Sequence, residues 1–252
     1  MTVSLSRLLD TLKGILGDAG SKDPDMGNGL QFRGKEKVGK IATGVSASLE
    51  LFKLAVAHRA DCLIVHHGIL LPRAPYIDTI TAGRLEYLFT NRLSLLGYHY
   101  LLDSHPEVGH SAEIIRRLGA QRTEPFRDGW GWYAEFGEPR SRSEVIEACA
   151  SLFGQLRADY SFGPGRIRRM IVVTGGGSPQ SSELPSIMAD GIDLYVTGEV
   201  REWDRELIRE AGLNLVAGGH YSTERFGLWA LGDRIRKELP VEVEFVDLPN
   251  EV

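Results

Sequence analysis

The sequence predicts an α/β protein built from two related lobes, on three observations. Short aliphatic and β-branched runs alternate with helical patterns along the chain, the order that gives mostly parallel strands with helices on their faces. The second half repeats the first, strand end for strand end. With 252 residues, 42% hydrophobic and 25% charged, the composition excludes a disordered, collagen-like or coiled-coil molecule and supplies a core that needs no disulfide or structural metal.

Leu5, Leu8, Leu9, Leu12, Ile15 and Leu16 form an apolar stripe at helical spacing, with Asp10 and Lys13 on the other face. Residues 1–17 are therefore expected as an amphipathic surface helix, not a signal peptide. Strand 41–45 leads to helix 49–57, strand 63–65 to helix 79–93, and strand 95–99 to helix 111–118. An aromatic-rich strand, 130–136, follows Gly129. Ser141 with Glu144 three residues on is a capping box, opening a helix that ends near Gly154, and a loop is expected over 160–165. Strand 170–173, helix 184–189, strand 194–196, helix 201–211, strand 213–217, helix 225–238 and strand 241–246 complete the pattern. In chain order the lobes are 1–125 and 126–252.

No run approaches the roughly 18 apolar residues of a transmembrane helix. The net charge of −5 gives no general attraction for phosphate backbones, although Arg166, Arg168 and Arg169 make a local basic cluster; nucleic acid is not a favoured partner. Cys62 and Cys149 are too few and too far apart for a disulfide framework or a thiolate zinc site, so a reducing cytoplasm is expected.

The repeat can be written out. Ala60-Asp61-Cys62-Leu63-Ile64-Val65 runs into His66-His67-Gly68, and Ile192-Asp193-Leu194-Tyr195-Val196-Thr197 into Gly198-Glu199. Leu95-Leu96-Gly97-Tyr98 leads to His99 with Asp103 four residues on, while Leu215-Val216-Ala217-Gly218-Gly219 leads to His220 with Glu224 four residues on. Histidine and carboxylate recur at matched strand ends, where α/β proteins place ligands, and the two lobes are expected to share a cleft.

Six of the seven histidines, His66, His67, His99, His105, His110 and His220, fall just after expected strands, and His58 stands apart on a helix. Imidazole with carboxylate is the ligand set of zinc, manganese, iron, cobalt or nickel. Adjacent strand residues face apart, which assigns His66 and His67 to two ions. Asp103 completes one ion and His220 the other, and Glu224 is the natural bridge. His58, His105 and His110 are read as hydrogen-bonded polar residues, and Cys62 as core. Glu199 is a general base or a carboxylate that orients a ligand histidine. Thr174-Gly175-Gly176-Gly177-Ser178 is a phosphate cradle or a tight strand-to-helix turn. Trp130, Trp132 and Tyr133 are expected in a subunit contact.

His66-His67-Gly68, Leu102-Asp103-x-His105-Pro106-Glu107-x-Gly109, Thr197-Gly198-Glu199 and Gly219-His220-Tyr221-x-Thr223-Glu224-x-x-Gly227 resemble the motifs of the NIF-three-like proteins, often called type 2 GTP cyclohydrolase I homologues. The resemblance runs from Leu8 to the Val246-Asp247-Leu248-Pro249-Asn250 end. It implies two intertwined α/β lobes with a dinuclear metal site in the cleft, in a toroidal homohexamer, here without the middle domain that longer members insert. Carried over, His67 and Asp103 would hold one metal, His66 and His220 the other, and Glu224 would bridge. Members usually have two asparagines where His110-Ser111 stand, a histidine where Glu206 stands and an aspartate where Ser46 or Ser48 stands. These departures bear on the cleft and so on the substrate.

Two divalent ions per chain, identity open, are the implied cofactors. The implied function is a metal-dependent hydrolase acting through a metal-bridging water on a nucleotide or other phosphate-bearing substrate, with GTP ring opening taken from the family name. The alternative is a non-catalytic metal-binding hexamer that acts by contacting other proteins. The expected partners are a small-molecule substrate and further copies of the chain.

Overall fold

The computed structural model describes residues 1–18, 23, 26–69 and 77–252. Helix α1 (Leu5–Leu16) follows the short strand β1 (Val3–Ser4); Ser4 caps it by accepting from the Arg7 amide at 3.2 Å, and Leu5, Leu8, Leu12 and Leu16 bury the apolar stripe. Strands β2 (Gly29–Phe32), β3 (Lys37–Val38) and β4 (Lys40–Ser46) precede α2 (Leu49–Ala57), β5 (Cys62–His67), α3 (Thr79–Asn91), β6 (Ser94–Gly97) and α4 (Tyr100–Asp103). Next come α5 (His110–Leu118), β7 (Gln121–Phe126), the long β8 (Gly131–Ser141), α6 (Arg142–Phe153), β9 (Ala158–Ser161) and β10 (Arg166–Val173). The chain closes with α7 (Leu184–Ala189), β11 (Leu194–Thr197), α8 (Asp204–Glu210), β12 (Asn214–Ala217), α9 (His220–Thr223), α10 (Phe226–Glu238) and β13 (Glu242–Phe245). The capping box of α6 is formed: Ser141 Oγ accepts from the Glu144 amide at 3.3 Å and Glu144 accepts from the Ser141 amide at 2.9 Å.

Two mixed sheets carry the longer strands, in the orders β13-β4-β5-β6-β2 and β7-β8-β10-β11-β12-β9. Each contains a parallel trio, β4-β5-β6 and β10-β11-β12, closed on the same side by an antiparallel strand that comes before the trio in sequence, β2 on β6 and β9 on β12. That correspondence is the internal duplication in three dimensions. The strands that follow the trios are exchanged. After α5, β7 and β8 join the second sheet beside β10, and after α10, β13 joins the first beside β4.

The compact units are consequently discontinuous, Met1–Leu102 with Gly227–Leu248 and Asp103–Phe226 with Pro249–Val252. Residues 227–248 thus fall outside the lobe 126–252 that chain order gives them, because Phe245 is in register with Thr43 and the Val246 amide donates to Thr43 O at 2.8 Å.

The first unit packs Phe52, Leu51, Leu63, Val65, Leu88 and Leu95 against its sheet, and the second packs Ile171, Val173, Ile187, Tyr195, Ile208 and Leu215. The parallel strands read as unbroken apolar runs because both of their faces are covered. Cys62 and Cys149 are buried free thiols. Among the described residues, no helix is long and apolar enough to cross a membrane.

Three strands depart from the sequence reading. β9 runs from Ala158 into the expected loop region and pairs antiparallel with β12 at the sheet edge, and its residues are half-buried or exposed in alternation. β7 is exposed along all but its last residue and contains Pro125, which suits an edge strand and gives no hydrophobic signal. β2, at the edge of the first sheet, is only four residues long. Helix α8 starts later than expected, because the buried Asp204 carboxylate binds the Arg201 amide at 2.7 Å and makes the preceding residues a turn.

Candidate functional site

In the first unit, ligand-competent groups gather at the carboxyl ends of parallel strands. β5 is bonded on both sides, so Cys62–Val65 is apolar and buried, and polar residues fall only at its end, His66 and His67. His66 is fully buried and donates Nδ1–H to Tyr98 O at 2.9 Å. His67 stands opposite Ser46 in the ladder, with its Nδ1 2.9 Å from Ser46 Oγ. His99 follows β6; its Nδ1 is 3.1 Å from Asp23 Oδ2, and its amide donates to Asn28 Oδ1 at 2.8 Å.

The three rings converge. The His66 centroid lies 4.6 Å from His67 and 4.9 Å from His99, and one ring nitrogen of each residue lies within 4.8 Å of the others. The pleat does not keep His66 and His67 apart, since the strand ends at His67 and the two rings meet at a 50° tilt. Gln31 of β2 fixes this corner, accepting from the Ile69 amide at 2.7 Å and donating to Gly27 O at 2.6 Å. A Cβ at Gly68 would lie 2.2 Å from the Gln31 amide nitrogen, so only glycine admits that clamp.

The second unit carries an imidazole between two carboxylates. Gly218 and Gly219 turn the chain from β12 into α9; Gly219 has φ +95°, and a Cβ at Gly218 would lie 2.5 Å from the Phe153 ring. His220 then opens the helix. Its Nδ1 bonds Glu199, and its Nε2 lies 3.0 Å from an oxygen of Glu224, one helical turn on. Burial works to lower the His220 pKa, but the hydrogen bonds and charges of Glu224 and Glu199 prevail and raise it to about 9. Two carboxylates on one imidazole thus draw positive charge to this point.

The glycine-rich segment is the scaffold of this second group. Gly175 donates its amide to Thr223 Oγ1 at 3.1 Å and accepts from the amides of Gly198 at 3.1 Å and Glu199 at 3.0 Å. Its φ is +60°, and a Cβ there would lie 2.0 Å from Glu224 Oε1 and 3.0 Å from His220 Nε2. At Gly175 the backbone is committed to the turn. Further on, Arg127 donates to Gly177 O at 3.1 Å, Ser178 O at 2.8 Å and Glu183 Oε1 at 2.6 Å. Arg127 and Asp128 hold φ values of +50° and +55°, a strained conformation for non-glycine residues.

Asp103 ends α4 and His110 opens α5; both are buried, and an oxygen of one lies within 4.8 Å of a ring nitrogen of the other. The remaining histidines serve elsewhere. His105 Nδ1 accepts from the amides of Glu107 and Val108, each at 3.1 Å, and His58 pairs with Glu244 at 2.9 Å on the surface. Of the family departures, Ser46 touches His67, Ser48 caps α2, and Glu206 is exposed and paired with Arg209. Trp132 is not a surface aromatic: it is 7% exposed and lies under the Arg122 guanidinium, 4.1 Å from its ring. Trp130 is 38% exposed, and Tyr133 bonds Asp190.

His99 and Asp23 lie outside the sequence motifs from which the metal ligands are read. The signal for His99 was present, since the repeat matches it to His220. Asp23 reaches His99 only through tertiary folding.

The profile of the family described as Duf34/NIF3 (NGG1p interacting factor 3) matches residues 3–251. An Archaeoglobus fulgidus protein named GTP cyclohydrolase 1 type 2 homolog is 36% identical over 222 residues, 88% of this chain and 89% of that one. A Pseudomonas aeruginosa protein of the same name is 34% identical over 255 residues, covering 99% of each chain. A solved structure described as protein ybgI, of unknown function, is similar with a TM-score of 0.90 and 34% identity, over 99% of this chain and 100% of that one. One from Thermus thermophilus gives 0.89 and 30%, with the same coverage. With a profile match over nearly its whole length and relatives of similar size above 30% identity, the chain belongs to the Duf34/NIF3 family.

Proposed function

We propose that the protein is a dinuclear-metal-dependent hydrolase in which His67 and Asp103 hold one divalent ion, His66 and His220 the other, and Glu224 bridges. One observation carries the reading: His66, His67 and His220 each have Nδ1 engaged by an oxygen partner, Tyr98 O, Ser46 Oγ and Glu199 respectively. Ligand histidines are typically oriented in this way, with the second nitrogen left for the metal.

The donor set fits. Imidazoles mixed with carboxylates suit zinc, manganese, iron, cobalt or nickel, and Gly175 keeps open the space beside Glu224 and His220 that any side chain would fill. Ions held there supply Lewis acidity toward water and toward a phosphate or carbonyl oxygen. Glu199, bonded to Nδ1, orients His220 and raises its basicity, which favours a positioning role over that of a general base.

The name carried by the relatives points to a nucleotide, so the substrate class is a nucleotide or another phosphate-bearing compound. The working form in this reading is a homohexamer in the cytoplasm. The test is elemental analysis and a substrate screen on metal-loaded protein, against nucleotides, phosphoesters and cyclic amides. Two ions per chain are expected, with turnover abolished and at least one ion lost in Glu224→Ala. Both ions bound with no turnover in any arm would instead support the non-catalytic metal-binding hexamer.

A further inference from the structure

We infer that the pocket between α5 and β7 binds a small organic phosphate, an ester with an apolar body, at a site that uses none of the proposed metal ligands. The inference goes beyond the metal centre and does not depend on it.

The pocket encloses about 470 Å³, within the roughly 300–1,000 Å³ of small-molecule sites, and all of its lining residues belong to the second unit. Its apolar lining is Ala112 and Ile115, one turn apart on α5, with Pro106 and Ala120 beside them. Ala112 and Ile115 are buried, so they form the floor. The charged lining residues are Glu107, Arg116 and Arg122.

Arg122 is fixed by its flat face. It stands opposite Ala134 in the β7–β8 ladder, and Trp132, two residues along β8, faces the same side of the sheet. Ala134 is small, so the guanidinium reaches diagonally over the indole and lies 4.1 Å from the ring centre. The indole is itself buried. Stacking uses the face of the guanidinium and leaves the N–H donors along its edge open. Among the described residues, Arg122 makes no hydrogen bond and no ion pair.

Arg116 is fixed by one edge. Its Nε donates to Glu113 Oε2 at 2.8 Å and its Nη2 to Oε1 at 2.7 Å, which orients the group and leaves Nη1 outside the pairing. The buried Glu113 also accepts from Arg117 Nε at 2.8 Å, so its charge is spread over two guanidinium groups. Glu107 is the one carboxylate among the lining residues, and positive charge prevails. Two guanidinium groups held in set orientations match the oxygens of a phosphate. A bare phosphate would leave the floor unused, whereas an apolar body on the ester covers it.

The experiment is calorimetric titration of phenyl phosphate and of inorganic phosphate into the full-length protein, metal-loaded and EDTA-treated, and into its variants. Phenyl phosphate is expected to bind once per chain with or without metal, more tightly than inorganic phosphate by about tenfold or more. Arg122→Ala should weaken it roughly 10–100-fold, as loss of a charged hydrogen-bonding partner does. Arg122→Lys keeps the charge but loses the fork and the stack, so it should recover only part of the affinity; it decides the matter if Arg122→Ala fails to fold by circular dichroism. Ala120→Leu adds bulk over the floor without touching a charge, and should weaken phenyl phosphate while sparing inorganic phosphate. No saturable binding at millimolar phenyl phosphate overturns the inference. Binding that disappears with the metal and is indifferent to Arg122→Ala also overturns it, since the phosphate then sits on the ions.

Discussion

At the scale of single residues, the second ligand group depends on what is missing at Gly175. Its left-handed backbone and the 2.0 Å gap to Glu224 leave no room for a methyl group. Gly175→Ala is therefore expected to lose about 1–2 kcal/mol from backbone strain and, by displacing Glu224, to bind metal at least tenfold more weakly. Gly191→Ala is the control: its φ is +64° but no atom lies within 4 Å of the added Cβ. That variant should lose comparable stability with metal content unchanged, and urea melts with elemental analysis on both proteins check the contrast. Glu199→Gln, which keeps hydrogen-bonding capacity but loses charge, should retain the ions while weakening them about 10–100-fold. Unaltered affinity would show that its bond to His220 does not orient a ligand.

At the scale of elements, the entry to β4 is held by one side chain. Asp61 accepts from the amides of Gly39 at 2.8 Å and Lys40 at 3.1 Å, and from Lys35 Nζ at 2.7 Å. Burial works to raise its pKa, but these donors outweigh it and hold the carboxyl below the ordinary 3.8. A carboxylate with a depressed folded pKa contributes stability that is complete above its unfolded pKa and is lost as pH falls through the folded one. Asp61→Ala should thus cost roughly 1.5–3 kcal/mol at pH 7, with the gap to wild type closing below about pH 4; urea midpoints across pH measure it. Ser141→Ala breaks the capping box of α6 and should cost about 1 kcal/mol, independent of metal.

At the scale of the whole molecule, β13 brings the C-terminal end of the chain into the first sheet, whose other strands all come from its N-terminal part. Removing residues 240–252 would expose the β4 edge of the first sheet, which β13 covers through the Glu242–Phe245 ladder. The truncated protein is expected to aggregate or melt at markedly lower temperature, visible by scattering and calorimetry, instead of losing only a frayed tail. For the assembly, light scattering on the metal-loaded protein should give a homohexamer, and a monomer at micromolar concentration would count against the proposed ring.

The sequence by itself determined the alternation of strand and helix, the internal repeat, the capping box at Ser141 and the gathering of histidines and carboxylates at strand ends. Each of these is written in local periodicity or in residue types whose chemistry is narrow. It did not show β9 or β7, because edge strands need bury little and carry polar residues. Only the tertiary structure decided that β13 pairs with β4, that Asp23 orients His99, and that His66 and His67 point their rings together and not apart. These depend on which distant backbone lies alongside. A sequence fixes the apolar face a strand must bury, whereas its hydrogen-bonding partner is chosen among all strands that can cover that face, a competition with no local signature.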